Sequence, residues 1–326
     1  MITPKNYHYI HRLSKRIAPF FKKTNRFTKV LERKERLDLA NKFISEKIRE
    51  GSPLMVGRYG RVESRVIVNF LELNRKQSDL KAISRHLLGR LNIFWKKNPV
   101  FFDNLCKRAG FFPNNDKLLG RFVDVILEAS TSLDLLGVWN ELEEYIPMIP
   151  DSCKLSKIRE IEPWFYDEPW SYHLKGKKVL VIHPFEESIR YQYEVNRTNL
   201  YKNDKVLPEF DLKTIKAVQS IADEEVEYST WFDALDDMKR QIDVVDFDVA
   251  IIGCGAYGFP LASYVKSKGK QAIHLGGVTQ LLFGIKGARW EEWEHYISLR
   301  KDDGKYWIKA KEIPKGYKKV EGGCYW

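Results

Sequence analysis

The stretch Asp248-Val249-Ala250-Ile251-Ile252-Gly253-Cys254-Gly255-Ala256-Tyr257-Gly258 decides how the rest of the chain is read. After Asp248 come four apolar residues, three of them β-branched, which predicts a strand over 248–252. Gly253, Gly255 and Gly258 follow with the spacing G-x-G-x-x-G, and helical periodicity begins at 260–267. In a strand, glycine turn and helix of this kind, backbone N–H groups approach a phosphate at the helix N-terminus. The dinucleotide form of the motif also needs an acidic residue roughly 20 residues on, at the end of the next strand. Here that strand, 271–275, ends in His274-Leu275-Gly276-Gly277 without a carboxylate, which argues against NAD. Two readings of the turn stay open: one that touches a different ligand, and a purely structural tight turn.

Outward from this unit the pattern repeats. A buried strand is expected at 178–183 and further strands at 212–218 and 271–275, with helices at 189–195, 231–242, 278–284 and 290–296. The first half adds a helix at 36–50, a strand at 54–58, a helix at 62–73, mostly helical spacing from 76 to 134, and a strand at 135–139. Residues 146–170 mix prolines with Trp164, Phe165, Tyr166 and Trp170 and are read as an ordered connecting loop. Strands alternating with helices predict an α/β fold: a Rossmann-like, mostly parallel sheet flanked by helices, with a helical insertion in the first half. The expected organisation is a basic aromatic helical arm over 1–35 and a single domain over 36–326. Within that domain, 36–145 is the helical N-terminal part and 171–300 the C-terminal βαβ part.

The 326 residues are 44% hydrophobic, enough for a core without disulfides or metals. Four scattered cysteines, with no C-x-x-C pair, fit a reducing cytosol and argue against a zinc site. No apolar run approaches a membrane span, and the N-terminus lacks a signal-peptide core, so a cytoplasmic protein is expected. The net charge of +11 favours an anionic partner. The excess is concentrated over 5–36, where Lys5, Arg12, Lys15, Arg16, Lys22, Lys23 and Arg26 interleave with Tyr7, Tyr9, Phe20, Phe21 and Phe27. A solvated basic helix and a segment resting on an anionic membrane surface both fit. No recognisable nucleic-acid module follows, so no specific nucleic acid is expected.

Candidate chemistry clusters at the expected carboxyl ends of strands. The turn at Gly253, Gly255, Tyr257 and Gly258 should lie beside a second glycine-rich loop, His274-Leu275-Gly276-Gly277-Val278-Thr279-Gln280, forming a crevice suited to a nucleotide or sugar diphosphate. Lys286 and Arg289 are placed to hold phosphate oxygens. A third loop, Gly57-Arg58-Tyr59-Gly60-Arg61-Val62-Glu63, offers Arg58 for a phosphate and Glu63 as metal ligand, as base, or as a carboxylate on a helix N-terminus. A fourth places His183, Glu186 and Glu187 past another strand. P-loop, H-E-x-x-H and G-x-S-x-G signatures are absent.

At these loops the sequence resembles the GT-D-type glycosyltransferases of bacterial capsule and exopolysaccharide loci, over roughly residues 50–295. The resemblance is carried by Arg58, Tyr59, Gly60 and Glu63, by the Gly253–Gly258 turn, and by His274-Leu275-Gly276-Gly277, Gln280, Phe283-Gly284 and Arg289-Trp290. It implies transfer of a sugar from a nucleotide-diphosphate sugar to a growing bacterial surface glycan. The implied donor site is Arg58, Tyr59, Gly60, Arg61, Gly253, Gly255, Tyr257, Gly258, Gly276, Gly277, Gln280 and Arg289, with Glu63 and His274 catalytic. In that family an Asp-x-Glu binds a Mn2+ or Mg2+ ion, and Glu63 would be its ligand here. Arg61 stands where the aspartate belongs, so a cation replaces one metal-binding carboxylate. A lipid-linked acceptor at the inner face of the cell membrane would give the basic arm its surface. The alternatives are another Rossmann-like enzyme using a dinucleotide or S-adenosylmethionine, and a non-catalytic protein that binds glycan or membrane.

Overall fold

The computed structural model describes residues 2–21, 24–221 and 224–326, so Lys22 and Lys23 of the basic stretch lie outside the described residues. Seven strands form one sheet: β1 (Leu54–Gly57), β2 (Leu135–Val138), β3 (Lys154–Lys157), β4 (Lys178–His183), β5 (Asp211–Lys216), β6 (Val249–Ile252) and β7 (Gln271–His274). Their order is β3-β2-β1-β7-β6-β4-β5, and every neighbouring pair is parallel. The expected α/β architecture is therefore the one observed.

The α-helices of six or more residues are α1 (Pro4–Phe21), α2 (Arg26–Glu32), α3 (Leu39–Glu50), α4 (Arg61–Asn74), α5 (Asp79–Leu87), α6 (Pro99–Ala109), α7 (Leu119–Ser130), α8 (Glu186–Tyr191), α9 (Trp231–Asp243) and α10 (Gly258–Ser267). Alternate strand residues divide between two cores. Met55, Leu136, Leu180, Ile182, Ala250, Ile252 and Ala272 pack beneath α4, α7, α9 and α10. Leu54, Val56, Val179, Val181, Val249, Ile251 and Ile273 pack against α3, α8 and the C-terminal segment. Burial on both faces explains the near-continuous apolar runs, since no face needs polar residues. Each fully buried Ile, Val or Leu contributes roughly 1.5–3 kcal/mol.

Strand β3 falls inside the segment expected to be a loop. It is an edge strand with only Ser156 buried, so its sequence carries no apolar run to betray it. Lysines at both of its ends suit an edge that must not pair further. The described part of the basic N-terminal stretch packs on the helical layer. Tyr7 of α1 lies 5.0 Å from the His86 ring and 5.7 Å from the Trp95 ring, and Ser14 donates to the His86 carbonyl at 2.8 Å. Helix α2 starts with a capping box between Asn25 and Thr28, and Arg26 donates to the carbonyls of Pro150 and Asp151 at 3.0 Å. Among the described residues, no helix is long and apolar enough to cross a membrane.

The sheet order fixes where a ligand can enter. From β4 the chain moves out to β5 and then returns to β6 on the other side of β4. Such a reversal opens a crevice outside the carboxyl ends of the strands.

Candidate active site

A cavity of about 460 Å³ occupies that position, walled by the residues that follow β1, β2, β4, β6 and β7. It brings together Arg58, Gly60, Arg61, Glu63, Gly253, Gly255, Tyr257, His274, Gly276, Gly277, Gln280 and Arg289, so three loops far apart in sequence share one space. Tyr59 and Gly258 support it from behind. Tyr59 is buried, hydrogen-bonds Ser130 at 2.6 Å and stacks on Phe259 with ring centroids 4.5 Å apart. Thr279 points back to the Ile252 carbonyl at 3.3 Å, and the Lys286 side chain is not part of the wall. Glu186 pairs with Arg190 and Thr214 outside the cavity.

The glycine turn is shaped first by its own packing. A Cβ on Gly253 would lie 2.5 Å from Thr279 Oγ1, and one on Gly258 would lie 2.2 Å from the His274 ring. Gly255 has φ +56°, in the left-handed region that favours glycine. Gly276 combines φ +66° with a Cβ position 2.8 Å from Arg58 Nη1. The second glycine loop thus leaves room for an arginine.

That arginine is the centre of the site. The Arg58 guanidinium lies 5.0 Å from the Trp139 ring centroid and Arg61 lies 5.5 Å from it. Trp139 is held in turn: its indole donates to the Tyr59 carbonyl at 2.7 Å, and its backbone N–H donates to Glu143 at 3.1 Å. Neither arginine makes a hydrogen bond or ion pair among the described residues. A half-buried guanidinium whose donors meet no protein acceptor among the described residues is suited to an anion. Glu143 is completely buried and also accepts from Asn140 at 2.7 Å; burial pushes its carboxyl up to about 8. Trp139 and Glu143 were not singled out from sequence. A tryptophan just past a strand is the one signal that marks the former.

Glu63 occupies the first turn of α4 and folds back over Gly60, where a Cβ would lie 1.9 Å from its carboxylate. Burial raises its carboxyl above the ordinary range, while Arg58 pulls in the opposite direction. Among the described residues, no group of three or more His, Cys, Asp or Glu side chains could hold a metal ion. Glu63, the carboxylate that the sequence reading gives to a Mn2+ or Mg2+ ion, stands beside the cations Arg58 and Arg61, whose donors suit an anion.

Two histidines end neighbouring parts of the sheet, each with a tautomer fixed by its partner. His183 Nδ1 accepts from the Phe185 backbone N–H at 2.9 Å, which places its proton on Nε2. His274 Nδ1 lies 3.2 Å from the Ile252 carbonyl and donates to it, which leaves Nε2 as an acceptor. Burial pushes both rings down to about 3, so both are neutral near pH 7. A ring of such low basicity positions hydroxyl groups better than it removes protons. Burial likewise raises the Cys254 thiol well above its ordinary value, which keeps it an unreactive packing group.

The C-terminal segment closes one wall. Tyr325 packs on Gly277, and its carbonyl accepts from Gln280 Nε2 at 2.9 Å. Gln280 Oε1 is buried with no partner among the described residues. Arg289 donates to Tyr325 Oη at 3.3 Å and pairs with Glu321, so it is already neutralised, unlike Arg58.

No family model matches the sequence, and no curated protein matches it. Two solved structures are similar along most of the chain. One is a selenomethionine-substituted structure of domain of unknown function 1792, at 13% identity and a TM-score of 0.42, covering 96% of this chain and 97% of that one. The other, also of domain 1792 and described as having a distinct glycosyltransferase fold, gives 13% identity and a TM-score of 0.40 over the same shares.

Proposed function

We propose that the cavity binds a nucleotide-diphosphate sugar and that the protein is a glycosyltransferase acting on a growing bacterial surface glycan. The observation that carries this is Arg58: a half-buried cation over the Trp139 ring, with no hydrogen-bond or ion-pair partner among the described residues, beside Gly276. Arg58 meets the diphosphate from within and Arg61 from the mouth. Glu63 takes the proton of the acceptor hydroxyl as the glycosidic bond forms. The leaving nucleoside diphosphate departs with the bonding electron pair, and the charge gathering on its oxygen is stabilised by Arg58. His183 Nε2–H and His274 Nε2 supply one donor and one acceptor for sugar hydroxyls. A bound Mn2+ or Mg2+ would supply further charge compensation, but the arginines fill that role in this reading.

A dinucleotide fits less well, because His274 stands at the end of β7, where a ribose-binding carboxylate is required. A thermal-shift panel separates the readings. UDP- or GDP-sugars should raise the melting temperature with EDTA present, and NAD and S-adenosylmethionine should not. Stabilisation by NAD or S-adenosylmethionine alone would overturn the assignment.

The exposed face of α1 supports a site of action at an anionic membrane surface. Tyr9, Leu13, Phe20 and Phe21 are exposed there, alongside Lys5, Arg12, Lys15 and Arg16. Apolar groups that enter the headgroup layer and cations that meet its charge are what such a surface requires. The acceptor would then be lipid-linked, with the protein at the inner face of the cell membrane.

A further inference from the structure

Beside Arg61, at the mouth of the cavity, stand two further arginines that the donor does not require, Arg65 and Arg108. Arg61 and Arg65 lie one turn apart on α4, and Arg108 comes from the last turn of the adjoining α6. All three are exposed, and Arg61 and Arg108 line the cavity. None makes a hydrogen bond or ion pair among the described residues. Arg61 and Arg108 both lie close enough to Arg65 for their charges to act on it, so like charges converge where α4 and α6 pack together. Like charges one turn apart weaken a helix, and a third cation brought in from a second helix adds to the repulsion. A phosphate group would relieve all of it.

We propose that Arg61, Arg65 and Arg108 form an outer anion subsite that takes the phosphate of a phosphate-bearing acceptor, distinct from the inner site around Arg58. The acceptor role rests on the glycosyltransferase reading; the anion subsite does not. Arg61 lies between the two sites and orients the acceptor toward the donor, while Arg65 and Arg108 belong to the outer site alone.

The test is calorimetric titration of the full chain with inorganic pyrophosphate, with and without saturating UDP or GDP. Pyrophosphate should still bind in the presence of the nucleotide. Arg65→Ala/Arg108→Ala should weaken that binding at least roughly tenfold, as loss of charge-assisted hydrogen bonds predicts, while nucleotide affinity is unchanged. Mutually exclusive binding, or a double variant that binds pyrophosphate like wild type, would overturn the proposal. If pyrophosphate binding depends on Arg65 and Arg108 but no nucleotide binds, the outer subsite stands and the donor assignment falls. Vesicles of phosphatidic acid in phosphatidylcholine and soluble glucose 1-phosphate then identify the source. Vesicle binding lost in the double variant indicates a lipid-borne phosphate, glucose 1-phosphate binding lost in it indicates a soluble one, and loss of neither overturns the acceptor role.

Discussion

At Gly258 a single methyl group would meet the His274 ring 2.2 Å away, and that ring is locked to the Ile252 carbonyl. Gly258→Ala should therefore destabilise the protein by about 1–3 kcal/mol, the usual cost of overpacking, read as a lowered denaturant midpoint. The sequence left this glycine open to a ligand-contacting or a structural turn, and its contact with His274 shows that packing alone already excludes a side chain. A glycine pattern has the same letters whether a phosphate or a side chain approaches it. The buried titratable groups set the pH dependence. Glu143 and Glu162 hold protons in the folded state up to about 8 and about 7, so each withdraws stability as pH rises from 4.5 toward those values. His86, His183 and His274 stay neutral when folded down to about 4, about 3 and about 3, so their contribution is complete above 6.5 and lost as pH falls below it. Stability should peak near pH 6.5 and decline toward pH 8, and Glu143→Gln should flatten that decline in urea titrations. An unchanged decline would show that Glu143 is not its source.

Among the elements, the strands buried on both faces were legible because their composition has a single physical explanation. Strand β3 was not, since an edge strand needs few apolar residues and its existence is decided by pairing with β2. The closing wall from Glu321 to Tyr325 was equally hidden, because it is irregular and held by long-range contacts to Gly277, Gln280 and Arg289. Glu321→Gln should free Arg289 and tighten nucleoside diphosphate binding several-fold, measured by calorimetry; unchanged affinity would place Arg289 outside the donor site. Helix α1 is docked through Tyr7 and Ser14, and this orients its basic, apolar face outward. Each basic residue near an anionic surface contributes about 1 kcal/mol. Arg12→Glu/Arg16→Glu should therefore reduce pelleting with phosphatidylserine vesicles roughly tenfold or more at low salt. Equal pelleting would rule out α1 as the membrane contact.

In the whole molecule, a seven-stranded parallel sheet gathers loops that start at residues 58, 139, 184, 253 and 275 around one cavity. The sequence made this juxtaposition legible for Arg58, Gly253 and His274, since each lies at the carboxyl end of an expected strand and parallel strands place their carboxyl ends on one edge. Sequence did not reveal that Trp139 carries Arg58 or that Glu321 occupies Arg289, because those contacts depend on the side-chain directions set by the finished fold. The central claim is that Arg58 meets the donor diphosphate without a metal. The direct measurement is the affinity of UDP and GDP for wild type and Arg58→Ala by calorimetry in EDTA, with folding checked by the thermal transition. Wild type should bind at least one of the two nucleotides, and Arg58→Ala should lose about 1.5–3 kcal/mol of that affinity, the strength of a charged hydrogen bond. Equal binding by the folded variant, or binding that appears only when Mn2+ or Mg2+ is added, would contradict the account.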